Sequence, residues 1–188
     1  MTAAFPAPAP PIPALPDDVP PADARAPLYR VADLRAYLAG AWQIRRTLVD
    51  RRLGRRGRFE GGAEFVPQGE GVPQGEGVPQ GENFPADEDV LAYREEGRLA
   101  LAGFETLAHQ HYLYAFPMPG RAEVRFADGR AFHPLDLGAG RWTAEHLCGA
   151  DHYRGSFRAL GPDSWRAEWR IVGPRKDQVL VSRFTRGA

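Results

Sequence analysis

Lysine, cysteine and long apolar runs are all scarce in this sequence of 188 residues. The one cysteine, Cys148, excludes an internal disulfide bond and is typical of a protein from a reducing compartment. No apolar run approaches the length needed to cross a bilayer, and the N-terminus lacks the basic start and apolar core of a secretory signal. A net charge of zero gives no overall attraction to nucleic acid or to an anionic membrane. These absences predict a soluble, cytoplasmic protein with neither a nucleic-acid nor a membrane partner.

The basic residues are almost all arginine, since Lys176 alone among the 24 basic residues is a lysine. A lysine ammonium is a compact, strongly hydrated charge, so Lys176 marks either a position that needs one or a chance survivor. Seven arginines lie within 45–58, and ten acidic residues lie within 60–96. The arginines flank a turn and have no interleaved aromatic residues. We therefore interpret them as a solvated basic hairpin and not as a nucleic-acid surface.

Two segments carry too little apolar bulk to join a core. Residues 1–28 consist largely of Pro and Ala, which favour an extended, disordered chain. Residues 66–88 contain three copies of a Val-Pro-Gln-Gly-Glu-Gly hexapeptide, the last of which ends in Asn. A β-solenoid also repeats at short periods, but three copies with one apolar residue each have little to bury. We predict one domain, residues 29–188, with a disordered tail before it and a flexible insert at 66–88.

The remaining sequence alternates apolar and polar residues with the period of a β-strand. One short helix is predicted at 33–39, where Asp33 suits its start and Gly40 its end. Gly97 is interpreted as a break between two strands, and Asp128-Gly129 as a hairpin turn. Some eight to ten short strands without an intervening helix favour a meandering barrel or a sandwich. The eleven segments from which these strands are drawn are 42–50, 58–66, 89–96, 99–104, 107–116, 122–127, 130–136, 142–148, 153–160, 165–172 and 178–185.

The segment Leu38-Ala39-Gly40-Ala41-Trp42 resembles the start of the lipocalin and calycin families, where a short helix precedes Gly-x-Trp in the first strand. This resemblance implies that Gly40 and Trp42 are structural and that Trp42 closes the floor of a barrel. It also implies that an arginine from the last strand packs over the tryptophan. Arg183 and Arg186 are both candidates for that position.

A second resemblance covers nearly all of residues 33–186. The segments Tyr93-Arg94-Glu95-Glu96-Gly97, 126–133, 146–157 and 169–177 resemble a bacterial and fungal domain-of-unknown-function family with a lipocalin-like barrel. The resemblance implies an all-β protein, a single antiparallel up-and-down lipocalin-like barrel of about 8–10 strands with a short N-terminal helix. It implies no activity.

Histidine and cysteine residues suggest two kinds of cofactor site. His146, Cys148 and His152 lie close together in sequence and are the ligand types that zinc prefers. A structural zinc site needs four ligands, however, and no paired Cys-x-x-Cys is present. Haem on His133, His146 or His152 is a further alternative, although the sequence has no haem-attachment motif. No metal ligand is assigned, and the cofactor stays unknown.

For the predicted strand 107–116, the sequence leaves open which of its two faces lines the lumen. His109 and His111 share one face, and Tyr112 and Tyr114 share the other. We expect the tyrosines to pack inside and the histidines to be solvated. In the alternative, the histidines line the lumen and change charge near neutral pH.

Twelve residues are predicted to bind a ligand, because they are aromatic or are polar residues in well-patterned strands or at their ends. They are Tyr93, Glu95, Tyr112, Phe126, His133, His146, Asp151, Tyr153, Trp169, Arg170, Arg175 and Lys176.

The basic members of that set outnumber the acidic ones, so the sequence predicts a small, partly apolar and anionic ligand. No nucleophile elbow, phosphate loop, dinucleotide fingerprint or His-Glu-x-x-His motif is present, so no catalytic residue is assigned. The prediction is a non-catalytic, small-molecule-binding barrel of undetermined oligomeric state. The alternatives are a small barrel isomerase or cyclase with acid–base chemistry, or a haem- or metal-binding barrel.

Overall fold

The computed structural model describes residues 27–68 and 89–187. Nearly all of the predicted tail at 1–28 and of the predicted insert at 66–88 lies outside these ranges. Val66 and Pro67 are described, and both belong to a strand. The ordered sheet therefore extends slightly further toward the repeats than the sequence pattern indicates.

The described residues form one short helix and ten strands. Helix α1 spans Leu34–Leu38, and no helix in the described ranges is long and apolar enough to span a membrane. The strands are β1 (Gly40–Asp50), β2 (Arg55–Pro67), β3 (Val90–Leu101), β4 (Phe104–Met118), β5 (Arg121–Phe126), β6 (Ala131–Asp136), β7 (Arg141–Cys148), β8 (Asp151–Gly161), β9 (Ser164–Gly173) and β10 (Lys176–Thr185).

The ten strands form a single antiparallel sheet that curls into a nearly closed barrel. Its order is β6-β5-β4-β3-β2-β1-β10-β9-β8-β7, so β1 pairs with β10 and the two end strands are β6 and β7. In the described ranges no hydrogen-bonded ladder joins β6 to β7. They meet through side chains, and Nε1 of Trp142 donates to the carbonyl of Pro134 at 2.9 Å. The predicted all-β, up-and-down barrel with a short N-terminal helix is confirmed.

The interior follows from the alternation of residues along each strand. In β1, Trp42 and Ile44 are buried while Gln43 and Arg45 are exposed, which is the period-two pattern of a wall with one face inside. Helix α1 covers one end of the barrel, because Leu34 is fully buried on its inner face. Asp33 caps this helix by accepting a hydrogen bond from the amide of Ala36 at 2.9 Å.

Gly97 does not break a strand, contrary to the sequence prediction, because β3 runs through it to Leu101. Gly97 pairs directly with Gly61 of β2, and the two backbones approach closely at this point. A Cβ on Gly61 would lie 2.1 Å from the carbonyl oxygen of Glu96, and one on Gly97 would lie 2.4 Å from that of Glu60. Glycine here permits close packing of two strands, and the turn lies at residues 102–103 instead.

The close approach at Gly61 leads to a stability prediction with an adjacent control. Gly61→Ala is expected to lower the free energy of unfolding by about 1–3 kcal/mol, because backbone atoms have to move to admit the methyl group. Gly62→Ala is the matched control, since a Cβ there has no atom within 4 Å, and we expect a change within about 0.5 kcal/mol. Urea unfolding of both variants tests this. Equal stabilities would show that the two strands are not in contact at Gly61.

Candidate functional site

The barrel encloses a cavity of about 160 Å³ above a floor of aromatic rings. The floor contains Trp42, Trp165 and Phe184, and Trp165 stacks on Phe184 with ring centroids 3.8 Å apart. Arg186 lies under this floor, with its guanidinium carbon 4.2 Å from the Trp42 ring centroid. Of the two arginines considered for this position, the structure therefore places Arg186 there, and Arg183 lies on the exposed face of β10.

One wall of the cavity is a row of four aromatic rings that crosses the line where β6 meets β7. Tyr93 stacks on Tyr112 with centroids 6.0 Å apart, and Tyr112 stacks on Phe132 at 5.6 Å. Phe132 stacks in turn on Trp169 at 5.1 Å, with only 16° between the ring planes. Such a wall is aromatic and apolar, and the stacking contacts fix the orientation of each ring.

Phe132 joins this row because the ladder between β5 and β6 is irregular. Val124 pairs with His133 while Arg125 pairs with Ala131, so Phe132 has no partner of its own. Phe132 and His133 therefore both contact the lumen aromatic Trp169, although residues adjacent in a regular strand face opposite sides.

A buried ion pair forms the polar part of the cavity. The Arg46 guanidinium donates to both carboxylate oxygens of Glu95, at 2.6 and 2.7 Å, and its Nε donates to the hydroxyl of Ser182 at 2.7 Å. The hydroxyl of Tyr93 donates to Oε2 of Glu95. Glu95 is 4% exposed, so these donors replace the water that the carboxylate gives up.

These contacts, together with burial, shift the pKa values of Arg46 and of the neighbouring tyrosines. Burial opposes the charge on Arg46, but the hydrogen bond and negative charge of Glu95 outweigh burial and raise the pKa of Arg46. Burial, together with the adjacent Glu95 carboxylate, raises the pKa of Tyr93 well above its ordinary value. Burial also raises the pKa of Tyr112 to about 12. At neutral pH Arg46 is therefore positively charged and the two tyrosine hydroxyl groups are neutral.

His133 is a neutral base at the cavity wall. It is 5% exposed, and its Nδ1 lies 2.8 Å from the carbonyl oxygen of Pro134. Burial lowers the pKa of His133 to about 4, and the nearby His146 acts in the same direction. At pH 7 the ring is uncharged, because burial disfavours the imidazolium form and none of the described carboxylates contacts the ring to favour it.

The open end of the barrel carries a second ion pair. Nζ of Lys176 lies 2.6 Å from the carboxylate of Asp151 and 3.5 Å from the hydroxyl of Tyr153. The hydrogen bond with Asp151 raises the pKa of Lys176. His146 packs on the same side, with its ring centroid 5.0 Å from that of Phe132. This end is partly exposed, in contrast to the buried pair below it.

The structure brings ten of the twelve predicted ligand-binding residues together in two sets. The set that lines the cavity is Tyr93, Glu95, Tyr112, His133 and Trp169. The set on the inner face nearer the open end is Phe126, His146, Asp151, Tyr153 and Lys176.

Arg170 and Arg175 do not join the other ten. Arg170 lies on the outer face of β9, with its guanidinium 3.7 Å from Asp177. Arg175 lies exposed in the turn before β10, and its carbonyl accepts a hydrogen bond from Arg52. Trp169 faces the cavity, so its neighbour Arg170 points to the opposite side of the strand.

Eleven of the sixteen residues that line the cavity were not among the predicted ligand-binding residues, and they include Arg46, Ser182, Phe132 and Trp165. A signal for Arg46 was available, because it shares a strand face with Trp42 and Ile44 and is therefore an arginine on an apolar face. Phe132 had no such signal, since its direction depends on the irregular pairing of β6.

The remaining histidines lie away from the cavity. His109 and His111 lie on the outer face of β4, while Tyr112 and Tyr114 face inward, as the sequence analysis expected. Within residues 27–68 and 89–187, no group of three or more His, Cys, Asp or Glu side chains is placed to hold a metal ion.

Comparison with known families gives one match that covers most of the chain. The model of a family described as a family of unknown function, DUF6314, matches residues 38–186. The chain belongs to this family. The resemblance to an uncharacterised barrel family is thereby confirmed, while DUF6314 itself has no function in its description. A search of curated proteins finds no match.

Solved structures similar to this DUF6314 barrel include an S-type phycobiliprotein lyase, CPES, from Guillardia theta. The TM-score is 0.59 at 9% identity, over 82% of this chain and 90% of the lyase. A de novo designed fluorescence-activating β-barrel matches with a TM-score of 0.40 at 14% identity, over 84% of this chain and 100% of the design. The first likeness shows a shared fold, and the second is too distant to support an argument.

Proposed function

We propose that the barrel binds one small, planar, partly apolar molecule in its lumen and does no chemistry on it. The observation that carries this proposal is the cavity of about 160 Å³, which combines a row of stacked rings with a fixed polar group. Binding sites of this kind have apolar walls and a few placed polar groups. An apolar protein cavity of roughly 150 Å³ is large enough for benzene, so a single aromatic ring fits this space.

The charged side chains inside the lumen indicate the charge of the proposed ligand. The sequence favoured an anion because basic candidates outnumbered acidic ones, but Arg170 and Arg175 lie outside the lumen. Inside, Arg46 is paired with Glu95, and Lys176 is paired with Asp151. Each positive charge already has a negative partner, so we propose an uncharged ligand in place of an anion.

The contact between Tyr93 and Glu95 favours a second candidate function, acid–base catalysis. Tyr93 has a pKa raised well above its ordinary value, and Glu95 also accepts two hydrogen bonds from Arg46. A catalytic acid or base works best with a pKa near the operating pH, and Tyr93 does not meet this condition. We therefore assign this cluster to binding and orientation.

Toluene is a direct probe of the proposed cavity, because it is flat, apolar and no larger than the space allows. We expect saturable binding, seen as NMR chemical-shift changes of lumen residues. Ala167→Leu, which adds an isopropyl group at the cavity wall, should weaken binding at least tenfold. Ala41→Leu on the exposed face of β1 is the control and should leave binding unchanged. Absence of binding, or equal effects of the two variants, would contradict the proposal.

A further inference from the structure

The lumen contains a hydrogen-bond acceptor without a protein partner. The carbonyl of Pro134 can only accept, so Nδ1 of His133, at 2.8 Å from it, carries the hydrogen. The neutral ring then has its lone pair on Nε2. Within the described residues, no hydrogen bond to Nε2 of His133 is formed. The geometry of one backbone carbonyl therefore makes His133 an acceptor toward the lumen.

In the described part of the chain, aromatic rings surround His133. Phe157 stacks on the ring with centroids 5.1 Å apart, and Phe132 and Trp169 meet it at steep angles, at 4.7 and 5.0 Å. These neighbours are apolar toward the imidazole. Polar atoms inside a protein are rarely left without a partner, so water or a ligand in the cavity is the source of a donor for Nε2.

A second unpartnered group lies on the same cavity. Trp165 is 2% exposed and lines the cavity, and its Nε1 has no hydrogen-bond acceptor in the described structure. The cavity wall thus carries a buried donor without a partner, Trp165 Nε1, and an acceptor, His133 Nε2, whose only described ring hydrogen bond is made by the other nitrogen. Both groups are uncharged, whereas the charged groups nearby, Arg46 and Glu95, already satisfy one another.

We infer that the ligand is an uncharged aromatic molecule with a hydroxyl or ring N–H group that donates a hydrogen bond to Nε2 of His133. This inference rests on the proposed function and narrows it to a chemical class, that of phenols and N–H heterocycles. A hydroxyl also accepts, so a phenol has the type of acceptor that Trp165 Nε1 lacks. An ammonium ligand would need a free carboxylate, and Glu95 is occupied.

Phenol and toluene form a matched pair of probes, because they have the same shape and differ in the hydroxyl group. The preference for phenol is the dissociation constant of toluene divided by that of phenol. We expect this ratio to be at least tenfold smaller in His133→Phe than in the wild type. His133→Gln, which keeps a side-chain acceptor, should restore part of the preference. The ratio cancels any general change in the cavity, because both probes experience it.

NMR of the wild-type protein gives a test that does not depend on a variant. With ¹⁵N-labelled histidine, we expect the His133 Nε2 resonance to be that of an unprotonated nitrogen and to move on addition of phenol but not of toluene. One contrary outcome is that both probes bind while the Nε2 resonance stays in place and His133→Phe leaves the ratio of dissociation constants unchanged. In that case the inference is wrong and the proposed function stands. If neither probe binds the wild type, the proposed function itself fails. A proton found on Nε2 would also overturn the inference.

Discussion

Replacing Trp42 with alanine is expected to lower the free energy of unfolding by about 3–5 kcal/mol, the range for truncating a buried aromatic side chain. Trp42 is 2% exposed, and its Nε1 donates to the carbonyl of Leu38 at 2.8 Å. Its ring meets Trp165 edge to face, with centroids 6.3 Å apart, and Arg186 covers it from the other side. Alanine would leave a cavity between helix α1 and the barrel floor.

Urea unfolding measures this loss, and two arginines of the C-terminal segment give a matched control. Arg186 donates to the carbonyls of Tyr37 and Ala39 at 2.7 and 2.9 Å, so Arg186→Ala should also destabilise the floor. Arg183→Ala on the exposed face should have a smaller effect. A loss below roughly 1 kcal/mol for Trp42→Ala, as at surface positions, would mean that the floor does not depend on this ring.

Glu95→Ala is expected to lower the free energy of unfolding by about 3–5 kcal/mol, because it leaves the Arg46 charge buried without a partner. The side chain of Arg46 is 20% exposed, so water reaches only part of the guanidinium. Tyr93 would lose its acceptor at the same time. Glu95→Ala leaves both a charge and a hydroxyl group without a partner. We therefore expect it to lower the free energy of unfolding by as much as Trp42→Ala does.

The double variant Arg46→Met with Glu95→Leu tests whether Glu95→Ala destabilises the protein through an unpaired charge or through a general loss of packing. Because both charges are removed together, the double variant should be more stable than Glu95→Ala alone. Glu105→Ala is the surface control, since Glu105 pairs with Arg98 at 3.5 Å in the open and such pairs contribute at most about 1 kcal/mol. If the double variant were no more stable than Glu95→Ala, the buried charge would not be the cause.

Local patterns predicted the barrel well, because strand alternation depends only on neighbouring residues. The alternation in β1 and the Gly40-Ala41-Trp42 segment both indicated a wall that starts after a short helix, and the structure has that arrangement. The same rule could have corrected one candidate. Trp169 and Arg170 are adjacent in a strand, and in a regularly paired strand adjacent residues face opposite sides, so the aromatic wall already argued against Arg170.

Residue pairs that depend on register could not be predicted in this way. Arg46 and Glu95 lie on β1 and β3, and they meet only because β2 aligns both strands in a particular register. Phe132 faces the lumen because the pairing of β5 with β6 shifts by one residue. Gly97 looked like a break, yet it is a contact point between two strands whose partner, Gly61, lies 36 residues earlier in sequence. Each of these features is a property of the sheet and not of a segment.

The missing ladder between β6 and β7 has a consequence for how the barrel moves. Every strand except these two has a hydrogen-bonded neighbour on each side in the described ranges, so separating any other pair breaks a ladder. Opening the wall between β6 and β7 breaks no ladder in the described ranges; it parts side chains and breaks the hydrogen bond from Trp142 to Pro134. We therefore expect breathing motions to concentrate there, with amide hydrogen exchange faster in β7 than in β1. Equal exchange rates in the two strands would argue against this.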